Sequence, residues 1–298
     1  MLVNSPHLGE ILALSCAILW ATAVILFRKS GETVAPSGLN LFKNTLALAL
    51  FVLTSLVLRA SLFPQASAGD YFLVLASGII GLSISDTLFF RSLNLLGAEL
   101  SAIVDCLYSP FIIGLSVLLI SESMSALQVL GVFLIVSAVL AVSGIGDRKH
   151  ISRHDLTLGI LLGVLAMATM AVGIVMIKPL LNRSPLLWVV EVRLFAGCVG
   201  LSVYLLFHPR RGQIVGSLMS VRNWQYMLPG SFLGAYLSMI VWMGGMKYTQ
   251  ASIASALNQT SNVFVFILAA LLLKEPVNLI RVIAIILAFS GAFIVSFG

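Results

Sequence analysis

Charge is what this sequence has least of: Asp, Glu, Lys and Arg make up 9% of its 298 residues, against about 25% in an ordinary soluble domain. So thin a polar surface excludes a soluble enzyme, a disordered chain and a nucleic-acid-binding protein. Three cysteines, Cys16, Cys106 and Cys198, lie in apolar runs. They offer neither a disulfide framework nor a zinc cluster and read as small core residues. Histidine is confined to His7, His150, His154 and His208, all in expected loops. His150 and His154 have helical metal spacing, but no third ligand stands near them. There is no His-Glu-x-x-His, nucleophile elbow or Walker loop, so no catalytic residue, metal or cofactor is expected. The 17 Lys and Arg outnumber the 11 Asp and Glu to give +6. In so apolar a chain that excess points to an anionic membrane surface, not to nucleic acid.

Hydrophobic residues fill 60% of the chain. A bilayer-spanning helix needs about 20 mostly apolar residues, and 123–146, 156–177, 223–246 and 248–273 are free of charge over at least that length. With shorter runs broken by single polar residues, ten spans are expected, at about 8–27, 36–58, 71–95, 98–120, 126–144, 156–180, 185–207, 223–246, 250–273 and 277–297. The expected fold class is therefore an all-α membrane protein whose short connections leave no room for an extramembrane domain. Ala21-Thr22-Ala23 resembles a signal-peptidase site. Residues 1–7 carry no Lys or Arg, however, and the apolar run continues to Phe27, so the first span is expected to stay in the mature protein.

An internal repeat organises these spans. At an offset of 150, Gly9 meets Gly159, Arg28 meets Lys178 and Lys43 meets Arg193. Beyond the second span the offset is 153, so that Gly81 meets Gly234, Ala98 meets Ala251, Glu122 meets Glu275 and Ser137 meets Ser290. The extra residues fall in the loop 208–222. Two five-helix units follow, 1–145 and 156–298, joined by a basic linker at 146–155. Because five is odd, the second unit enters the membrane in the opposite direction to the first. Inverted repeats of this kind are a transporter architecture with the substrate near the midplane; a duplication that built only a helical scaffold is the alternative.

Certain segments carry a family resemblance. Leu118-Leu119-Ile120-Ser121-Glu122 and Leu271-Leu272-Leu273-Lys274-Glu275 each precede a final helix rich in small residues, 131–142 and 284–295. With Pro110 in the fourth span and the basic Lys43 and Arg193 early in the second span of each half, they resemble the EamA-type drug/metabolite transporter superfamily. The likeness runs over nearly the whole chain as two EamA units. Departures from repeat symmetry are Val263, which stands where the first half has Pro110, and Asp86 and Arg91, whose mates are Met239 and Gly244. The resemblance implies a secondary transporter of the inner or plasma membrane, commonly an exporter of amino acids or other small metabolites.

Polar residues inside apolar helices are costly, so their positions nominate a site. In the fourth span Ser101, Asp105 and Tyr108 share a helical face with Ser109 beside them; their mates in the ninth are Ala254, Asn258, Ser261 and Asn262, with Gln259 adjoining. Asp105 and Asn258 each lie about four residues, roughly 6 Å, before their helix centres. In oppositely directed helices they flank the midplane and line a cavity; interhelical hydrogen bonding is the competing role for such residues. Asp105, Tyr108, Asn258, Gln259 and Asn262 are accordingly the candidate substrate-binding residues. Trp20 and Trp242, with Tyr236, are placed inside their spans as apolar walls or core packing. Asp86 is the candidate coupling residue. Arg91, about 140° away on the same helix, is a poor partner for it, so either a basic residue on another helix pairs with Asp86 or it titrates. Lys43, Glu191 and Arg193 are expected to snorkel to the headgroups, and Glu122 and Glu275 to favour the dipole of the helix that follows each.

On the side of the termini stand four basic residues, Arg59, Lys178, Arg183 and Lys247, and on the opposite side eleven. The positive-inside rule therefore puts both termini outside, whereas the resemblance implies termini in the cytoplasm. The expected function is a secondary exporter of amino acids or related metabolites; the alternatives are a carrier of another solute, such as a nucleotide sugar or drug, and a non-transporting channel or scaffold. Expected partners are a small-molecule substrate and the lipid bilayer, the chain being a monomer or weak homodimer.

Overall fold

The computed structural model describes residues 7–62, 64, 66–120, 125–143, 151–219, 221–249, 251–275 and 277–297, whose regular structure is entirely helical. In chain order the helices are α1 Leu8–Ser30, α2 Pro36–Val57, α3 Ala68–Leu96, α4 Ala98–Leu119, α5 Ala126–Ser143, α6 Arg153–Arg183, α7 Leu186–Phe207, α8 Arg211–Leu218, α9 Trp224–Tyr248, α10 Ala251–Leu268 and α11 Leu279–Phe297. Among the described residues seven of these, α1 to α4, α6, α7 and α9, are long and apolar enough to cross a membrane. Shorter apolar stretches lie in α5 (Val129–Ala138), across the end of α10 and the π-helical turn Ala269–Leu273 that follows it (Leu257–Leu273), and in α11 (Leu279–Ile294). Each of the ten expected spans is thus occupied by a helix. The short α8 lies in the expected loop 208–222. Only its Ile214 is buried, so the sequence carries no periodic signal for it. It closes over the start of α2, where Ser217 Oγ accepts the Ala35 N–H at 3.3 Å.

These helices are apolar on nearly every side, so small residues and polar contacts decide which faces meet. The packing is reciprocal between the halves: α1 lies on α9 and α10, α6 lies on α3 and α4, α2 pairs with α7, and α5 pairs with α11. At the α5–α11 seam a Cβ on Gly291 would stand 2.7 Å from the Gly131 carbonyl oxygen, and Ala284, Ala288 and Ala292 bury a stripe at i, i+4, i+8. Along the α3–α6 seam three serines donate to carbonyls of α6: Ser77 to Gly173, Ser85 to Ala166 at 2.8 Å and Ser92 to Gly159 at 2.7 Å.

Three departures from α-helical geometry prepare the centre of the bundle. Both α3 and α9 contain a π-helical stretch, Ile79–Ile84 and Phe232–Leu237, related by the same offset of 153; such bulges concentrate at functional sites. Third, α4 breaks after Asp105, where the Cys106 and Leu107 N–H groups turn back to Ile103 and Val104. Pro110 explains the break, since it has no N–H for the Cys106 carbonyl and its ring crowds that group. Gln259 Nε2 of α10 supplies the missing donor at 3.4 Å. With Val263 in place of a proline, α10 runs unbroken there.

Candidate functional site

A cavity opens at the centre, between the break in α4 and the two π stretches, and with its mouth encloses about 870 Å³. Its walls come from α1, α2, α3, α4, α6, α7, α9 and α10, so both halves contribute. All eight sequence candidates line it: Trp20, Asp86, Asp105, Tyr108, Trp242, Asn258, Gln259 and Asn262. Repeat-related pairs face it together, Lys43 with Arg193, Asp105 with Asn258, and Gly81 with Gly234.

Asp86 finds its cation on another helix. Lys43 Nζ of α2 donates to Asp86 Oδ2 at 2.6 Å and to Asn44 Oδ1 at 3.0 Å, with Lys43 and Asp86 both 3% exposed. Arg91, expected to be a poor partner for Asp86, is exposed. The snorkelling expected of Lys43, Glu191 and Arg193 is overturned: all three are buried, at 3%, 6% and 4% exposure. The physical reason is position, because Lys43 and Arg193 stand seven residues inside their helices, about 10 Å of rise, on faces turned to neighbouring helices. Glu191 accepts a hydrogen bond from Ser55 of α2. The signal that could have marked Lys43 and Arg193 as cavity residues was present in the repeat, which matches a cation to a cation at one depth in each half.

The strip on α10 does two jobs. Gln259 Nε2 donates to the Asp105 carbonyl at 3.3 Å and to Ser109 Oγ at 3.1 Å, and Asn262 Nδ2 donates to Gln259 Oε1 at 2.5 Å. Their amides thus tie α10 to the broken α4 while their flanks line the cavity. Asn258 differs, since its Oδ1 is buried without a partner. Ser101, grouped with Asp105 by helical spacing, is buried outside the cavity wall. Among the described residues no side chain hydrogen-bonds the Asp105 carboxylate.

Aromatic rings form much of the remaining wall. Tyr108 and Trp242 stand with centroids 6.2 Å apart, and Trp20 lies 5.9 Å from Phe89. Tyr236 instead packs on Phe51 at 5.1 Å and hydrogen-bonds Thr54 at 2.6 Å, away from the cavity. Met167, Met170 and Met239 complete the apolar lining.

Charged contacts also join the halves at the end of the bundle where α4 begins. Glu275 receives the Ala98 and Glu99 N–H groups, both at 2.9 Å, and Arg281 Nη1 pairs with Glu99 Oε2 at 2.9 Å. Glu275 was expected to favour the helix after it; it caps α4 of the other half. Gly97, at φ +82°, makes this possible, as a Cβ there would meet Glu275 Oε1 at 2.8 Å. Glu122 and the linker 146–150 lie outside the described residues.

Comparison with known proteins agrees with this arrangement. A crystal structure covering 96% of this chain and 95% of its own superposes with a TM-score of 0.72 at 18% identity, a likeness of fold. The uncharacterized transporter YetK of Bacillus subtilis is 24% identical over 253 residues, 82% of this chain and 75% of YetK. An uncharacterized transporter of Archaeoglobus fulgidus is 23% identical over 268 residues, 90% of each chain. The model of the EamA-like transporter family matches twice, at residues 7–144 and 157–297. With both halves matched, and a central cavity walled by both, this multi-pass integral membrane protein belongs to the EamA-like transporter family.

Proposed function

We propose that this transporter is a secondary exporter of amino acids or related small metabolites in the plasma (inner) membrane. Ten of its helices, all but the short α8, span the membrane and act as two inverted five-helix repeats, 1–145 and 156–298, joined by the linker 146–155. Transport proceeds by alternating access: one bundle rocks against the other and opens the central cavity to each side in turn. The observation that carries this reading is the cavity itself, walled by repeat-related residues of both halves and holding Lys43, Asp86, Asp105 and Arg193.

Within it, Asp105 and Asn258 bind the polar groups of the solute. Tyr108, Trp20 and Trp242 pack its apolar part, and Gln259 and Asn262 hold the broken α4 in register. Asp86 is the coupling residue: its bond with Lys43 joins α3 to α2, so making or breaking that bond changes what holds the two helices together. The protein works as a monomer or weak homodimer.

The test is counterflow in proteoliposomes with a panel of labelled solutes: amino acids, a nucleotide sugar and a cationic drug. Saturable counterflow of amino acids is expected. Counterflow confined to the nucleotide sugar or the drug makes this a carrier of that solute. Non-saturable flux without counterflow makes it a channel, and no flux of any solute makes it a scaffold.

A further inference from the structure

The two repeat-related cations of the cavity have unlike surroundings. Lys43 is matched, its ammonium 2.6 Å from Asp86 Oδ2. Arg193 is 4% exposed and lines the same cavity, yet its Nη1 reaches only Met243 Sδ, at 3.5 Å, and its Nε is buried with no partner. A guanidinium carries five N–H donors in a planar fork, and a thioether is a weak acceptor for one of them. Among the described residues no carboxylate lies within ion-pair distance of it. Burying such a charge is unfavourable unless an anion completes it.

Its position is also built in. A Cβ on Gly81 would stand 3.1 Å from Arg193 Nη2, so the guanidinium rests against the π-helical stretch of α3 at a residue whose lack of a side chain leaves room for it. Held there, the fork is pre-organised for a planar, two-oxygen acceptor.

We propose that Arg193 is the anion anchor of the cavity and that the transported solute carries a carboxylate, which pairs with it. This rests on the reading of the cavity as the substrate site and narrows the class of solute. With Asp86 paired to Lys43, Arg193 is the cavity cation that no ion pair holds, and a dianionic phosphate would bring more negative charge than a carboxylate beside Asp86 and Asp105. The walls formed by Trp20, Trp242, Met170 and Met239 suit an apolar body behind that carboxylate.

The experiment is isothermal titration calorimetry of the purified chain in lipid nanodiscs with four probes: isocaproate, L-leucine, L-leucinamide and isopentyl phosphate. Isocaproate and leucine are expected to bind, the amide not to, and the phosphate to bind more weakly than either carboxylate. Arg193→Met is expected to weaken carboxylate binding about thirtyfold or more, as for truncation of a buried charge partner, with Arg193→Lys between it and the wild type. If Arg193→Met is not monodisperse, Arg193→Gln carries the comparison. Isocaproate bound through Arg193 with leucine unbound keeps the anchor and overturns the amino-acid reading. Leucine bound equally by wild type and variant overturns the anchor and keeps that reading. The anchor is also overturned if the phosphate binds tighter than the carboxylates, or if neither carboxylate binds the wild-type protein.

Discussion

At the scale of single residues, the cavity is governed by which polar groups have partners. Lys43 and Asp86 satisfy each other, and removing either leaves the other as a buried, uncompensated charge. Lys43→Met and Asp86→Asn are each expected to destabilise the protein by about 3–5 kcal/mol. The double variant is expected to lose far less than their sum, as coupled neighbours do, read by reversible unfolding in mixed micelles. Asn258, whose Oδ1 has no protein partner, separates binding from structure. Asn258→Ala is expected to raise the half-saturation concentration of transport in an inserted, monodisperse protein, and Asp105→Asn to impair affinity in the same way. Normal kinetics in both would return these residues to structural roles.

Among the elements, the broken α4 is the most informative. Pro110 withdraws the donor that the Cys106 carbonyl needs, and Gln259 of α10 replaces it, so a backbone defect in one half is repaired by a side chain of the other. Gln259→Leu leaves that carbonyl and Ser109 short of a partner and is expected to cost about 1–3 kcal/mol. In the background of Pro110→Ala, where the helix can supply the N–H, the same change is expected to cost less. Thermal unfolding of the four proteins measures the coupling, and equal costs in both backgrounds would show that Gln259 does not serve the break. The π stretches of α3 and α9 recur at one repeat offset, and so belong to the shared design of the two halves.

Over the whole molecule, contacts between the halves hold both ends of the bundle. At the end where α4 begins, Glu275 and Arg281 of the second half bind α4 of the first, and within the first half Asn94 donates to the Gly31 carbonyl at 3.1 Å. At the other end, Arg183 of the second half pairs with Asp70 of the first at 2.5 Å, and within the second half Lys247 donates to the Ser184 carbonyl at 2.7 Å. Alternating access requires these two sets to loosen in turn. Single cysteines at Asn94 and Ser184, in a background without Cys16, Cys106 and Cys198, are expected to label with a membrane-impermeant thiol reagent in an anticorrelated way as substrate is added. Simultaneous labelling at both ends under every condition would favour a channel.

The sequence by itself determined the all-helical membrane class and the twofold repeat, because these rest on properties each stretch of chain carries alone: scarcity of charge, length of apolar run, and spacing of matched residues; its segments 118–122 and 271–275 carried the family resemblance. It also nominated the polar residues that line the cavity, since a polar group in an apolar helix needs water or a partner wherever the helix lies, but it left Trp20 and Trp242 open between wall and core and grouped Ser101 and Tyr236 with them, which lie off the cavity. Partnership was decided only by the tertiary structure. That Lys43 reaches Asp86, that Arg193 lacks an anion, that Gln259 serves the carbonyl freed by Pro110 and that Glu275 caps α4 of the other half all depend on which helix faces stand within about 3 Å of each other. In helices apolar on nearly every side, no amphipathic stripe announces those faces; close approaches such as Gly81 to Gly173 and Gly291 to Gly131 select them.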